Sequence, residues 1–272
     1  ILRLLSNNAE ISSGSIDLQD ENILKMTPTQ LRSVRGKRIS VIFQDPMTSL
    51  NPALSISRQM TDIQYRDQIG KTEKRQRAID MLTRVGIPDA EKRLKSYPHQ
   101  FSGGMRQRIA IAMALIMEPV LLIADEPTTA LDATLQIQII ELLKVLQKEF
   151  RCSVLFVSHH LGLVADFCDQ VVVMYAGEVV ESGDVRDIFH RPAHPYTKGL
   201  LECDPARIKT KTRILPTIPG GIPDLVELND TCIFNERCPI KQNGCPLTVP
   251  PLMEITSGHF VQCHLNQKGK SK

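Results

Sequence analysis

A run of five apolar residues, Val120 to Ala124, ends abruptly in two carboxylates, Asp125 and Glu126, followed by Pro127. So short and uniformly apolar a segment reads as a strand covered on both faces, the kind found in parallel sheets with helices packed above and below. Two more strand signals follow, Ser153 to Val157 and Gln170 to Tyr175, separated by helical patterns over about 133–150 and 161–167. Strands alternating with helices predict an α/β chain whose parallel sheet is wrapped on both faces. Open sheets of this kind bind ligands beyond the carboxyl ends of their strands, where Asp125 and Glu126 emerge.

The stretch from Pro52 to about Met117 is largely helical in pattern, punctuated by Gly70, Gly86-Ile87-Pro88 and Tyr97-Pro98, and should form a helical subdomain. Before it, Arg38 to Gln44 reads as a buried strand broken by Asp45-Pro46. Thr27-Pro28-Thr29-Gln30 is a capping box that should start a short helix running to about Arg35. Residues 14–24 alternate around Asp20-Glu21-Asn22, which suits a short hairpin. Ile1, Leu2, Leu4 and Leu5 have the spacing of a helix already under way, so the sequence is expected to open inside an element with its true start missing. After Cys203 the prolines and glycines of 216–251 leave little room for regular elements. Four cysteines, Cys232, Cys238, Cys245 and Cys263, are the expected source of order there.

Composition excludes several classes. A net charge of +3 with dispersed basic residues offers no strip for nucleic acid, and Lys268, Lys270 and Lys272 read as a solvated tail. No apolar stretch nears the roughly 20 residues that span a bilayer, and there is no signal-peptide pattern, so a soluble chain able to sit on a membrane protein is expected. Crowding of cysteines near one end is not the spacing of a secreted disulfide framework. Cys152, Cys168 and Cys203 are expected to be plain core or helix residues.

Two motifs carry chemistry. Asp125, at the end of a buried strand, is placed to hold Mg²⁺ through water, and Glu126 to act as general base toward an attacking water. Upstream, Ser102 can cap a helix, and Gly103 and Gly104 let backbone N–H groups approach an anion at its positive end. A bare Ser-Gly-Gly is an ordinary turn. Followed by Met105-Arg106-Gln107-Arg108 and an Ile/Ala/Met helix just before the acidic strand, it becomes specific.

With these motifs in this order, the chain resembles the ATP-binding subunits of ABC transporters. Gln44 then matches the Q-loop glutamine, which senses Mg²⁺ and water and relays to the membrane subunit. Ala130-Leu131-Asp132 matches the D-loop, which makes Asp132 a nucleotide-site residue, and His159 matches the switch histidine that contacts the γ-phosphate. The resemblance implies a P-loop NTPase-type core and a head-to-tail dimer sandwiching two ATPs, in which Ser102-Gly103-Gly104 caps the nucleotide held by the partner. It also implies two transmembrane permease subunits and a substrate-binding protein, no nucleic acid, and a peripheral position on the cytoplasmic face of the bacterial inner membrane.

His194-Pro195-Tyr196-Thr197, the Pro-Gly-rich linker and the cysteines narrow the resemblance to the oligopeptide/dipeptide (and nickel) importer branch. On residues alone, Cys232, Cys238, Cys245 and Cys263 suit zinc or an iron–sulfur cluster, although the Cys-x-x-Cys knuckles of zinc ribbons are absent. The resemblance favours a structural [4Fe-4S] cluster over zinc.

Two departures stand out. His160 occupies the place after the switch histidine where the family usually carries an acid. More consequentially, no Gly-x-x-x-x-Gly-Lys-Ser/Thr (Walker A) loop is present; Gly70-Lys71-Thr72 has Tyr65 at the first glycine position, and Gly269-Lys270-Ser271 has His264 there. Losing three charge-assisted phosphate contacts of about 1.5–3 kcal/mol each costs roughly 4–9 kcal/mol, about three to six decades of affinity. The expected organisation is an ABC ATPase domain over 1–203, lacking its N-terminal strands and Walker A, with a helical subdomain at about 52–117, and a cysteine-bearing extension over 204–272. The expected function is the ATP-binding subunit of a peptide importer, against a catalytically inactive remnant or non-catalytic partner subunit, or a nickel or other small-solute importer. A DNA-repair ATPase would need long heptad runs or a basic groove, and neither is present.

Overall fold

The computed structural model describes all residues except 46–48, 130, 209–212, 227–229 and 270–272; Pro46, Ala130 and the last two tail lysines, Lys270 and Lys272, therefore lie outside the described residues. The chain divides into two compact units, residues 1–159 and 160–272.

The first unit opens with a two-residue hairpin, β1 (Asp17–Leu18) and β2 (Glu21–Asn22), and then α1 (Pro28–Val34). The capping box forms as expected: the Thr27 N–H donates to Gln30 Oε1 at 2.8 Å and the Gln30 N–H to Thr27 Oγ1 at 3.3 Å. Strand β3 (Ile39–Ile42) leads to a helical stretch of α2 (Ile56–Asp62), α3 (Lys71–Arg84), α4 (Ala90–Arg93) and α5 (Gly103–Leu115). Then come β4 (Leu121–Asp125), α6 (Ala133–Phe150) and β5 (Ser153–Val157).

The three strands form a parallel sheet in the order β3-β4-β5, with Ile42 opposite Ala124 and Asp125 opposite Val157. Because β4 is central, its carboxylates leave the middle of the sheet's C-terminal edge. Leu122 and Ala124 are buried, α5 packs on β3, and α6 buries Ile139, Ile140, Leu143 and Leu146 at helical spacing. Strand β5 differs from β3: Leu155 and Val157 stay 41% and 44% exposed, whereas Ile39 and Ile42 are each 1% exposed.

Residues 1–5 are not helical, contrary to the sequence reading. The Arg35 guanidinium takes the Leu2 carbonyl through Nε and Nη2, at 2.9 and 2.6 Å, and also reaches the Arg3 carbonyl. These are acceptors a helix would need for itself, and Arg3 has a positive φ of 52°.

The second unit begins with α7 (Leu161–Phe167) and β6 (Gln170–Tyr175), followed by β7 (Glu178–Asp184), α8 (Val185–His190) and α9 (Pro195–Glu202). Strands β8 (Leu252–Thr256) and β9 (His259–Gln262) complete a four-stranded antiparallel sheet in the order β6-β7-β9-β8. Expectation fails twice here. Strand β6 does not join the parallel sheet, because Ala176 and Gly177 both adopt positive φ, 49° and 88°, and fold it back on β7 in a tight hairpin. The proline-rich tail, expected to be irregular, contributes the β8–β9 hairpin, turned at Gly258 with φ 75°. Val173, Tyr175, Val180, Ile188 and Phe234 form this unit's core together with Cys232 and Cys245.

Candidate functional site

Strands β4 and β5 deliver the central residues. The Glu126 N–H donates to the Val157 carbonyl at 2.9 Å, carrying the ladder one residue past β4, and the chain then turns with Glu126 at φ 45°. Its carboxylate is ringed. Gln44 Nε2 (3.0 Å) and Thr129 Oγ1 (2.8 Å) both donate to Oε2, and His159 Nδ1 lies 2.8 Å from Oε1. The structure thus gathers Gln44, Glu126 and His159, three residues from three strand ends.

Electrostatics follow the geometry. The hydrogen bond from His159 and then that from Thr129 hold the Glu126 carboxyl below its ordinary pKa, while partial burial works the other way. Glu126 is therefore ionised at neutral pH, as a proton acceptor must be. Asp125 closes β4 with an exposed side chain.

The glycine motif lies at the start of α5. Ser102 caps the helix, its Oγ accepting the Met105 N–H at 3.4 Å. A Cβ on Gly104 would come within 3.3 Å of the Leu135 side chain, so this glycine permits α5 to approach α6 closely. Asp132 caps α6, with Oδ1 accepting the Leu135 N–H at 3.0 Å; its D-loop neighbour Ala130 is outside the described residues. Thr129 was missed by sequence reasoning. Its signal is local, since the Thr129 N–H donates to the Glu126 carbonyl at 3.1 Å, a turn that returns the hydroxyl to the carboxylate three residues earlier.

Comparison with known proteins places this arrangement. Residues 1–129 match the family model described as ABC transporter, and residues 180–245 match that of the oligopeptide/dipeptide transporter C-terminal region. The probable peptide ABC transporter ATP-binding protein y4tR of Sinorhizobium fredii is 46% identical over 97% of this chain and 79% of its own length. The oligopeptide transport ATP-binding protein OppD of Escherichia coli is 45% identical over 97% of this chain and 77% of its own. The chain belongs to the oligopeptide/dipeptide ABC transporter ATP-binding subunits.

Among solved structures, the ATP-binding cassette MJ0796, described as a dimeric post-hydrolysis state bound to ADP and Pi, matches with a TM-score of 0.56 and 28% identity. That match covers 64% of this chain and 75% of that one. For ABC transporter ATP-binding subunits the nucleotide is ATP and its ion Mg²⁺. Among the described residues no helix is long and apolar enough to cross a membrane.

The matched oligopeptide-transporter C-terminal region holds Cys232, Cys238 and Cys245, and Cys263 follows it; all four are free thiols. The Cys232 N–H donates to the Cys245 carbonyl at 3.0 Å and the Gln242 N–H to Cys245 Sγ at 3.3 Å. Burial pushes the Cys232 thiol up to about 11, and the nearby Cys245, Cys263 and Cys238 thiols add to the rise. Cys238 and Cys263 are raised in the same way, burial first. Backbone N–H groups of Phe234, Ile240 and Leu265 point at the sulfurs of Cys232, Cys238 and Cys263. Among the described residues, no three thiols, imidazoles or carboxylates close around a single metal ion.

The same unit contains a polar cluster that sequence reasoning did not find. Glu181, fully buried, accepts the N–H groups of Ala193 (2.7 Å) and His194 (3.0 Å) and pairs with His259 Nε2 at 2.7 Å. His194 caps α9 by accepting the Tyr196 N–H on Nδ1 at 3.0 Å. The His194-Pro195-Tyr196-Thr197 motif is thereby tied to β7 and, through Glu181, to β9.

Proposed function

We propose that this chain is the subunit at which ATP is hydrolysed to drive peptide uptake, with Glu126 as general base. The observation that supports this reading is the ionised Glu126 carboxylate held among Gln44, Thr129 and His159 at the C-terminal edge of a parallel sheet. Glu126 takes the proton of a water as its oxygen attacks the terminal phosphorus of ATP, and His159 orients the carboxylate. Asp125 and Gln44 offer the oxygen donors that a hard cation prefers and would hold Mg²⁺, which neutralises phosphate charge when bound. Ser102, Gly103 and Gly104 present the start of α5 to the nucleotide of a second ATP-binding subunit, and Asp132 lies at the same junction. Two permease subunits spanning the bacterial inner membrane, with this chain peripheral on their cytoplasmic face, and a periplasmic or surface substrate-binding protein complete the assembly. The names of the relatives and the description of the matched C-terminal region support oligopeptides or dipeptides as cargo.

These 272 residues contain no phosphate-binding Gly-x-x-x-x-Gly-Lys-Ser/Thr loop, so that loop has to come from other residues. The same observation favours a second reading, a non-catalytic partner subunit. Phosphate release separates the two. Joined to a segment that supplies a Gly-x-x-x-x-Gly-Lys-Ser/Thr loop, the chain should hydrolyse Mg-ATP, and Glu126→Gln should lower turnover about 100-fold or more. A joined protein that folds and binds ATP without turnover supports the non-catalytic reading.

The four C-terminal cysteines form the second part of the proposal, a structural [4Fe-4S] site. Support comes from four sulfurs in one neighbourhood, near enough to raise one another's thiols, each facing a backbone N–H. Bound, it would supply the order that the surrounding prolines and glycines do not.

A further inference from the structure

Amide side chains from two helices hold the loop that follows Glu126. Gln107, on the second turn of α5 and 1% exposed, donates from Nε2 to the Pro127 carbonyl at 2.5 Å. Gln136 of α6 donates to the carbonyls of Leu131 (3.1 Å) and Thr128 (3.3 Å). These carbonyls thus accept from side-chain amides where a strand would supply backbone N–H groups.

Gln107 bears a cost for this contact. Its Oε1 is buried with no hydrogen-bond partner. An aliphatic side chain would fill the space without the unpaired Oε1 but would leave the Pro127 carbonyl without this donor, so what the amide contributes here is its donor end. That donor is aimed at the carbonyl next to Glu126, whose φ of 45° a non-glycine residue keeps only where its surroundings hold it.

We infer that Gln107 is a positioning residue for Glu126: by fixing the Pro127 carbonyl it keeps Glu126 in the left-handed turn that sets its carboxylate among Gln44, Thr129 and His159. Gln107 belongs to the helix that starts at Ser102-Gly103-Gly104, so a shift of that helix start reaches the carboxylate through one hydrogen bond. In the proposed dimer, each subunit's Glu126 thus responds to what its own Ser102 end meets, a consequence that rests on the reading given above.

The test is Gln107→Met in the 272-residue chain, a change that keeps length and volume and removes the donor. Backbone NMR, with the Glu126 signals assigned by their shift in Glu126→Gln, reads the Glu126 backbone shifts and HN–Hα coupling, which report its φ, alongside thermal melting. The expected result is that these signals leave their left-handed values while melting changes by no more than a few degrees. A variant that melts like the parent with the Glu126 backbone signals unmoved overturns the inference. Should Gln107→Met not fold, Gln107→Leu is read by the same two outcomes. Hydrolysis that survives Glu126→Gln would instead overturn the assignment of the base, and the backbone signals would still report on Gln107.

Discussion

His159 Nδ1 and Glu126 Oε1 lie 2.8 Å apart, each just past the C-terminal end of one of two hydrogen-bonded parallel strands. The separation of β4 and β5 is therefore built into the pair. His159→Ala should raise the Glu126 carboxyl pKa toward its ordinary value, as read by carboxyl NMR, because the largest cause of its lowering is removed. The sign for stability follows. A depressed folded-state carboxyl stabilises the fold fully above its unfolded value of about 4.3, and that contribution is lost as pH falls through the lowered value. Parent and His159→Ala melting temperatures should converge in strong acid. A Glu126 midpoint that stays put in His159→Ala would remove His159 as the cause.

Asp132 carries a structural duty alongside any nucleotide contact, since its carboxylate caps the 18-residue helix α6. Asp132→Ala should cost about 0.5–2 kcal/mol in denaturant unfolding, and Asp132→Asn, another good cap, much less. If Asp132→Asn nonetheless impairs turnover in the P-loop-joined protein, the capping and nucleotide roles separate.

His194 titrates in reverse of a salt-bridged histidine. Burial, partly opposed by Glu181, lowers it from 6.5 to about 4, so the folded chain binds fewer protons than the unfolded one between those values. Stability should fall by up to about 3 kcal/mol as pH drops from 6.5 to 4. His194→Asn keeps a capping side chain for α9 and should flatten that part of the profile. An unchanged slope in the variant would assign the acid sensitivity elsewhere.

Glu181 should tolerate no truncation. Glu181→Ala leaves His259 and two backbone N–H groups unpaired in a dry interior, a loss of about 3–5 kcal/mol. Guanidinium unfolding followed by far-UV circular dichroism would measure it.

For the cysteines, anaerobic purification should yield a brown protein containing iron and acid-labile sulfide, and Cys245→Ser should lose both. Stoichiometric zinc in a colourless protein would reject the cluster.

Local signals carried much of the fold. Asp132 and the apolar stripe from Ile139 to Leu146 mark α6, and Thr27 with Gln30 marks the start of α1, because capping and helical period act within a few residues. The β6 assignment failed because Gln170–Tyr175 alone cannot say which sheet it joins, a choice made by the turn at Ala176-Gly177. Within the site, Gln44 and His159 stand 82 and 33 positions from Glu126, and only the order of motifs linked them in sequence. Gln107 with Pro127, and Glu181 with His259, have no local signature. Each is a buried bond between distant segments, 20 and 78 positions apart.

Leu155 and Val157 show where this polypeptide is vulnerable. They present an exposed aliphatic face on β5, the kind of surface that other chains can meet. Protein concentration as well as temperature will therefore govern how long a preparation stays monodisperse, with self-association beginning at β5.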